Sequence, residues 1–222
     1  MRLIRMDHKN MTVSSTEIGR ITSHYYIKCE TMAHLCANLN IFAADDPQLY
    51  RKRFDFKTDL QLLNILCQCK EFESISPRME EMEELKMLTR YWLLDEEPDF
   101  IMKKDRMSVN LDDGPIIDTP QKVLLLLQGY LRDITYENFS LINDTQYVVQ
   151  NSIRLLRCML DLCSKKSQAE NVRRILDWCK FIENRVYKDD SPLKQFTKFS
   201  YSGYNAMRTK KQMDGFLYNT LY

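Results

Sequence analysis

The chain has 222 residues, of which 44% are hydrophobic and 28% charged, so one or two small globular domains with a real core are expected. Its net charge of +1 excludes the gross basic excess of a free-standing nucleic-acid-binding protein. The 5 glycines and 6 prolines are few for a sheet-rich domain, which favours an all-α fold. Any contact with nucleic acid must come from local placement of charge or from neighbouring domains.

The seven cysteines form no regular framework, so we expect reduced cysteines in the core of an intracellular protein, nuclear or cytoplasmic. Cys67 and Cys69 form a C-x-C, but residues two apart point to nearly opposite sides of a helix, which disfavours a shared zinc ion. The N-terminus lacks the apolar stretch of a secretory signal. The longest apolar run, Val123–Leu127, is far too short to span a membrane, so no membrane partner is expected.

Residues 1–15 are predicted to form a β-hairpin, with an Asp7–Asn10 turn between two short strands. A helix capped by Ser15 or Thr16 is expected to run to about Leu39. Residues 40–58 are predicted to be irregular and carry a basic run at 51–53.

The next two helices are predicted from apolar periodicity. One opens at Asp59 and the other follows Pro77. The stripe of the first is Leu60, Leu63, Leu66 and Cys67, and the seam of the second is Met79, Met82, Leu85 and Leu88. The second helix also carries an acidic run, which we interpret as a solvated face. This run is Glu80, Glu81, Glu83 and Glu84.

Residues 95–118 contain Pro98, Gly114 and Pro115 and are predicted to be a linker or long loop. Three strong helices are expected near 120–133, 145–165 and 168–187. The tail after Pro192 is aromatic and basic, and its pattern assigns it to no element.

Catalytic motifs are missing from the sequence. No G-x-x-x-x-G-K-S/T run is present, so no P-loop for nucleotide phosphates is predicted. His8, His24 and His34 are too scattered to predict a metal site, and the paired carboxylates at 45–46 and 189–190 suit helix capping better than acid–base chemistry. We therefore predict no catalytic residue, cofactor site or metal site in this chain, and an independent enzyme is disfavoured.

The helix predicted at 145–165 separates two kinds of side chain. Its core face is predicted to be Val149, Ile153, Leu156, Met159, Leu160 and Cys163. Its opposite stripe is Gln150, Arg154, Arg157, Asp161 and Lys165. Arginine guanidinium groups bind phosphate oxygens and stack on bases, so this stripe could contact a single nucleic-acid strand. The alternative is a solvated face with an Arg157–Asp161 ion pair.

Four blocks of the sequence resemble one known family, and they follow one another in the order of that family. The first is Ser15–Lys28, which reads STEIGRITSHYYIK. The second joins Val123–Tyr130 to Phe139–Asp144, the third is Tyr147–Arg157, and the fourth is Ser191–Phe196. Together they resemble the Sec sixty-three homology unit of Ski-two-like ATP-dependent helicases. Within the family, the chain is most similar to the large helicase subunits of the activating signal cointegrator complex, with the spliceosomal snRNP helicases close behind.

The resemblance implies a division of the chain. Residues 1–15 would be the last hairpin of a winged helix, residues 16–196 a helical bundle, and residues 197–222 a truncated or divergent tail. The long central helix would be the ratchet helix of the family, which lies across the translocating strand. Gln150, Arg154 and Arg157 would then contact single-stranded RNA or DNA.

The resemblance also implies partners. Helicase motor domains in cis would hydrolyse ATP with Mg, and protein partners in a multi-subunit complex are expected. The motor is absent from this sequence, so ATP hydrolysis is assigned to no residue of this chain. The alternative function is a protein-docking module of the same homology without direct nucleic-acid contact.

Overall fold

A computed structural model describes residues 3–41, 56–89, 94, 117–190 and 192–195. Two strands and seven α-helices occur in these ranges. They are β1 (Ile4–Asp7), β2 (Thr12–Ser15), α1 (Glu17–His24), α2 (Cys29–Asn38), α3 (Asp59–Cys67), α4 (Met82–Leu88), α5 (Thr119–Leu131), α6 (Phe139–Lys165) and α7 (Ala169–Asn184). Short 3₁₀ turns lie at Lys70–Phe72, Met79–Glu81 and Pro192–Gln195. The all-α class with an N-terminal hairpin is confirmed.

The predicted hairpin is present as the antiparallel pair β1–β2, with Ile4 opposite Ser15 and Asp7 opposite Thr12. The backbone oxygen of Leu3, just before β1, links the hairpin to α1. It accepts hydrogen bonds from both the backbone N–H and the hydroxyl of Thr16, each at 3.0 Å. Thr16 is also the N-cap of α1, where its side chain accepts a hydrogen bond from the N–H of Gly19.

The single helix predicted from residue 16 to Leu39 is wrong. It is two helices, α1 and α2, separated at Tyr25–Lys28. Tyr26 has a φ of 51°, and the N–H of Ile27 reaches back to the oxygen of Thr22 at 3.0 Å, which closes α1. Neither glycine nor proline marks this break, so the sequence pattern runs through it.

Helix α3 begins at Asp59 as predicted, capped by the Thr58 side chain. The acidic run that follows Pro77 is partly misinterpreted, because Glu81 is fully buried. It contacts the ammonium group of Lys122 at 2.5 Å and the guanidinium of Arg78 at 2.6 Å. Met79 is exposed, so it is not part of the apolar seam.

The three C-terminal helices are confirmed, but the long one starts earlier than predicted. Helix α6 has 27 residues and begins at Phe139 because the side chain of Asn138 caps it, accepting from the N–H of Ser140 at 3.0 Å. The block at 139–144 is thus its first turns. Helix α6 is central, since it contacts α1, α3, α5 and α7.

The core face of α6 is wider than predicted. Three of the six predicted positions are buried, and three are only partly buried. The buried ones are Leu156, Met159 and Cys163, and the others are Val149, Ile153 and Leu160. Further residues are buried because neighbours cover the helix on several sides, among them Val148, Leu155, Cys158 and Leu162.

Most of the predicted irregular segment 40–58 and linker 95–118, and all of the tail after 196, lie outside the described residues. The division into a winged-helix remnant, bundle and tail stays a prediction. Among the helices that the structure describes, none combines the length and apolarity needed to cross a bilayer.

Candidate nucleic-acid interface

The predicted stripe of α6 lies on the side of the helix that faces the α1–α2 turn and α7. Gln150 is exposed, Arg154 is half-buried and Arg157 is exposed over 55% of its side chain. Arg154 and Arg157 are three residues apart, so they lie about one turn apart on one side of the helix. Neither guanidinium is sealed within the bundle.

Arg154 is held by the elements on both sides of it. One terminal nitrogen donates to the Asn151 side-chain oxygen at 2.5 Å, and the other donates to the backbone oxygen of Tyr26 at 3.4 Å. Asn151 is fixed in turn, since its amide donates to the oxygen of Tyr147 at 2.9 Å. The Nε of Arg154 is buried and has no hydrogen-bond partner among the residues that the structure describes. These contacts orient the guanidinium relative to the α1–α2 turn.

Arg157 lies beside α7, where its guanidinium forms an ion pair with Glu183. The Arg157–Asp161 pair considered from the sequence is therefore not the pairing in this fold. Asp161 instead accepts a hydrogen bond from the Tyr25 hydroxyl at 2.9 Å. Burial, with that hydrogen bond, raises the pKa of Tyr25 to about 12, so this link stays intact at neutral pH.

The α1–α2 turn is fixed next to this stripe by a buried carboxylate. Glu71 accepts from the N–H of Lys28 at 3.0 Å and from the hydroxyl of Thr31. The Tyr147 hydroxyl of α6 donates to the backbone oxygen of Glu71 at 3.1 Å. One residue therefore ties the start of α2 to the long helix.

A buried charge cluster that the sequence pattern does not predict lies at the N-terminal end of α6. Lys122 is fully buried and its ammonium lies 2.5 Å from Glu81, 2.7 Å from Asp144 and 3.2 Å from the backbone oxygen of Ser76. The available signal was a single lysine beside the apolar run of α5. The cluster joins α4, α5 and α6 and thereby positions the long helix.

The cysteines are free, and six of the seven are buried as predicted. The exception is Cys29, which is exposed at the start of α2, so the core assignment is wrong there. Burial raises the pKa of the Cys36 thiol to about 11 and those of Cys158 and Cys163 to about 12. These thiols are therefore protonated and unreactive at neutral pH. Within the described ranges, no three His, Cys, Asp or Glu side chains are grouped as metal ligands.

Comparison with known proteins identifies the family. Residues 15–214 match the family Sec63 Brl domain, and the match continues past residue 196. Activating signal cointegrator 1 complex subunit 3 from Dictyostelium discoideum is 32% identical over 87% of this chain, and the Gallus gallus protein of that name is 31% identical over 88%. The U5 small nuclear ribonucleoprotein 200 kDa helicase of Drosophila melanogaster is 29% identical over 88%.

The matched part is a small share of each relative. This chain spans 7% of the Dictyostelium discoideum protein and 8% of each of the other two. Both helicase groups expected from the sequence blocks are thus among the relatives. Since the family match covers most of the chain, this protein belongs to the Sec63 Brl domain family.

Proposed function

We propose that this chain is a strand-guiding module of an ATP-dependent helicase. The observation that carries the proposal is the placement of Arg154 and Arg157 one turn apart on α6, with Arg154 partly exposed and the Arg157 side chain 55% exposed. Gln150 extends the same side of the helix by one more turn. A single strand of RNA or DNA crossing α6 would meet all three side chains.

The chemistry of these groups suits binding that does not depend on the nucleotide sequence. Arginine binds phosphate oxygens through paired N–H donors, and phosphate contacts position a strand without reading its bases. The chain has a net charge of only +1, with no overall basic excess, so binding to the strand is expected to be weak and local. A weak contact suits a strand that must move on.

The motor is part of the same proposal and lies outside this chain. ATP hydrolysis with Mg would occur in motor domains on the same polypeptide, in an intracellular complex, nuclear or cytoplasmic. The bundle would hold the strand while the motor resets. The name of the Drosophila melanogaster relative, a helicase, supports this placement.

A salt titration with fluorescently labelled single-stranded RNA and DNA tests the proposal. Replacing both Arg154 and Arg157 by Ala should weaken binding and should reduce the slope of log affinity against log salt by about 1.4, from about 0.7 for each lost phosphate contact. The matched control replaces two exposed arginines away from α6 by Ala: Arg132 at the C-cap of α5 and Arg173 on α7. Binding that is insensitive to salt, or equal losses in both double variants, would count against the proposal.

The alternative, a protein-docking module, is favoured by the hairpin. Ile4, Met6 and Val13 lie on one face of it and are all exposed. An exposed apolar face is typical of a protein contact. If the chain binds no oligonucleotide, yet a partner from its complex is released by Met6→Asp, the docking function is the better one.

A further inference from the structure

Tyr26 occupies a backbone position that normally favours glycine. It is the first residue beyond the C-cap of α1, with a φ of 51°. The N–H of Ile27 bonds to the oxygen of Thr22 at 3.0 Å, and the N–H of Tyr26 to that of Ser23 at 3.3 Å. This is the glycine position of a Schellman-type helix end, and a left-handed backbone is unfavourable for a large side chain.

The ring of Tyr26 gains no packing in exchange for this strain. It is 84% exposed and makes no hydrogen bond or ring contact in the part of the chain described here. Arg185 at the end of α7 has a similar φ of 53°, but its side chain donates to the oxygen of Tyr130 at 2.8 Å and stacks on that ring. Among the described residues, nothing covers the Tyr26 ring, so the ring is open to a ligand.

The turn that presents the ring is rigid and adjoins the proposed strand path. The backbone oxygen of Tyr26 accepts from Arg154 at 3.4 Å, and the neighbouring Ile27 is buried. Glu71 fixes the N–H of Lys28 on the other side. Because the backbone that carries the ring is already fixed, binding of a ligand needs to order only the side chain.

We propose that Tyr26 stacks on an unpaired base of the strand that Arg154 and Arg157 hold by its phosphates. This inference rests on the proposed function and adds a base contact to it. Proteins that bind single strands combine cationic groups for the backbone with aromatic rings for the bases, and every base offers a flat face. Because paired bases are already stacked, the ring would also favour single strands over duplexes.

Two substitutions at Tyr26 separate the ring from the backbone strain. Tyr26→Gly should relieve the strain and raise the melting temperature, yet weaken binding of single-stranded oligonucleotides by about fivefold to a hundredfold. Tyr26→Phe keeps the ring and should bind these oligonucleotides as tightly as the unaltered chain does. The control is Phe139→Ala, which removes another exposed ring, 73% accessible, from the start of α6.

Abasic oligonucleotides distinguish this inference from the proposed function. The double arginine variant should weaken binding to normal and abasic strands alike, whereas Tyr26→Gly should affect only strands that carry bases. RNA and DNA versions of each strand show which backbone the site accepts, and a base-dependent loss on either supports stacking. An unchanged affinity in Tyr26→Gly overturns the stacking and leaves the arginine grip standing. Failure of the unaltered chain to bind any strand overturns both.

Discussion

Lys122 places its ammonium group in the interior of the bundle. Its ammonium contacts Glu81 and Asp144, and it is fully buried between α4, α5 and α6. Burial alone would raise the pKa of the Glu81 carboxyl, but hydrogen bonds from Lys122 and Ser140 lower that pKa overall. Glu81 is therefore ionised at neutral pH, and Lys122 neutralises it together with Arg78, whose guanidinium lies 2.6 Å away.

Removing this lysine should be severely destabilising. Lys122→Met keeps the volume but leaves Glu81 and Asp144 short of a cation, so we expect a loss of about 3–5 kcal/mol in the free energy of unfolding. Urea denaturation at pH 7 measures it. Lys165→Met, on the exposed end of α6 and 3.8 Å from Glu17, should change stability by less than about 1 kcal/mol. Comparable losses in the two variants would contradict the assigned role of the cluster.

At the scale of elements, the contact between α6 and α7 determines how readily the Arg157 guanidinium can bind a phosphate. Glu183 on α7 supplies a carboxylate that would compete with a phosphate for the same guanidinium. The pair is solvent-exposed, so it contributes little to stability but still opposes strand binding.

Glu183→Gln should therefore tighten binding of single-stranded oligonucleotides by about twofold to fivefold at low salt, with no measurable loss of stability. Fluorescence anisotropy at two salt concentrations measures the change, which should shrink as salt screens the pair. Asp177→Asn is the matched control, because its carboxylate lies 3.6 Å from Lys180 on the same helix. A gain of equal size in Asp177→Asn would mean that overall charge, not the Arg157 contact, governs binding.

The sequence predicts the elements whose signals are local. Short-range patterns predict a cap at Ser15 or Thr16, a helix that opens at Asp59 and the stripe with Arg154 and Arg157. The structure has Thr16 as the cap and the other two on the expected elements. The sequence misses features that depend on distant partners. Local pattern places Glu81 on the surface, but in the fold Lys122 packs against it, and the chain after the break at Tyr26 is held by Glu71 through the N–H of Lys28.

Contacts between distant residues also limit what the sequence predicts of the candidate site. Periodicity places Gln150, Arg154 and Arg157 on one stripe, but it cannot show that Arg157 pairs with α7 or that Arg154 is anchored to the α1–α2 turn. Those contacts join residues far apart in the sequence, and only the packing of the bundle brings them together. Tyr26 lacked any local signal, because its significance comes from backbone conformation and exposure.

At the scale of the whole molecule, the residue before the hairpin packs closely against the first helix of the bundle at Gly19. A Cβ at Gly19 would lie 2.0 Å from the backbone oxygen of Leu3, which also accepts both hydrogen bonds from Thr16. Gly19→Ala should therefore force the hairpin off α1, and an isolated two-stranded hairpin is at best marginally stable. Hydrogen exchange should show lost protection across 4–15 with α5 and α6 unchanged. Ser23→Ala, exposed on the same helix, should leave both regions as they are. Equal loss of protection in α6 would mean that the hairpin and the bundle unfold as one unit.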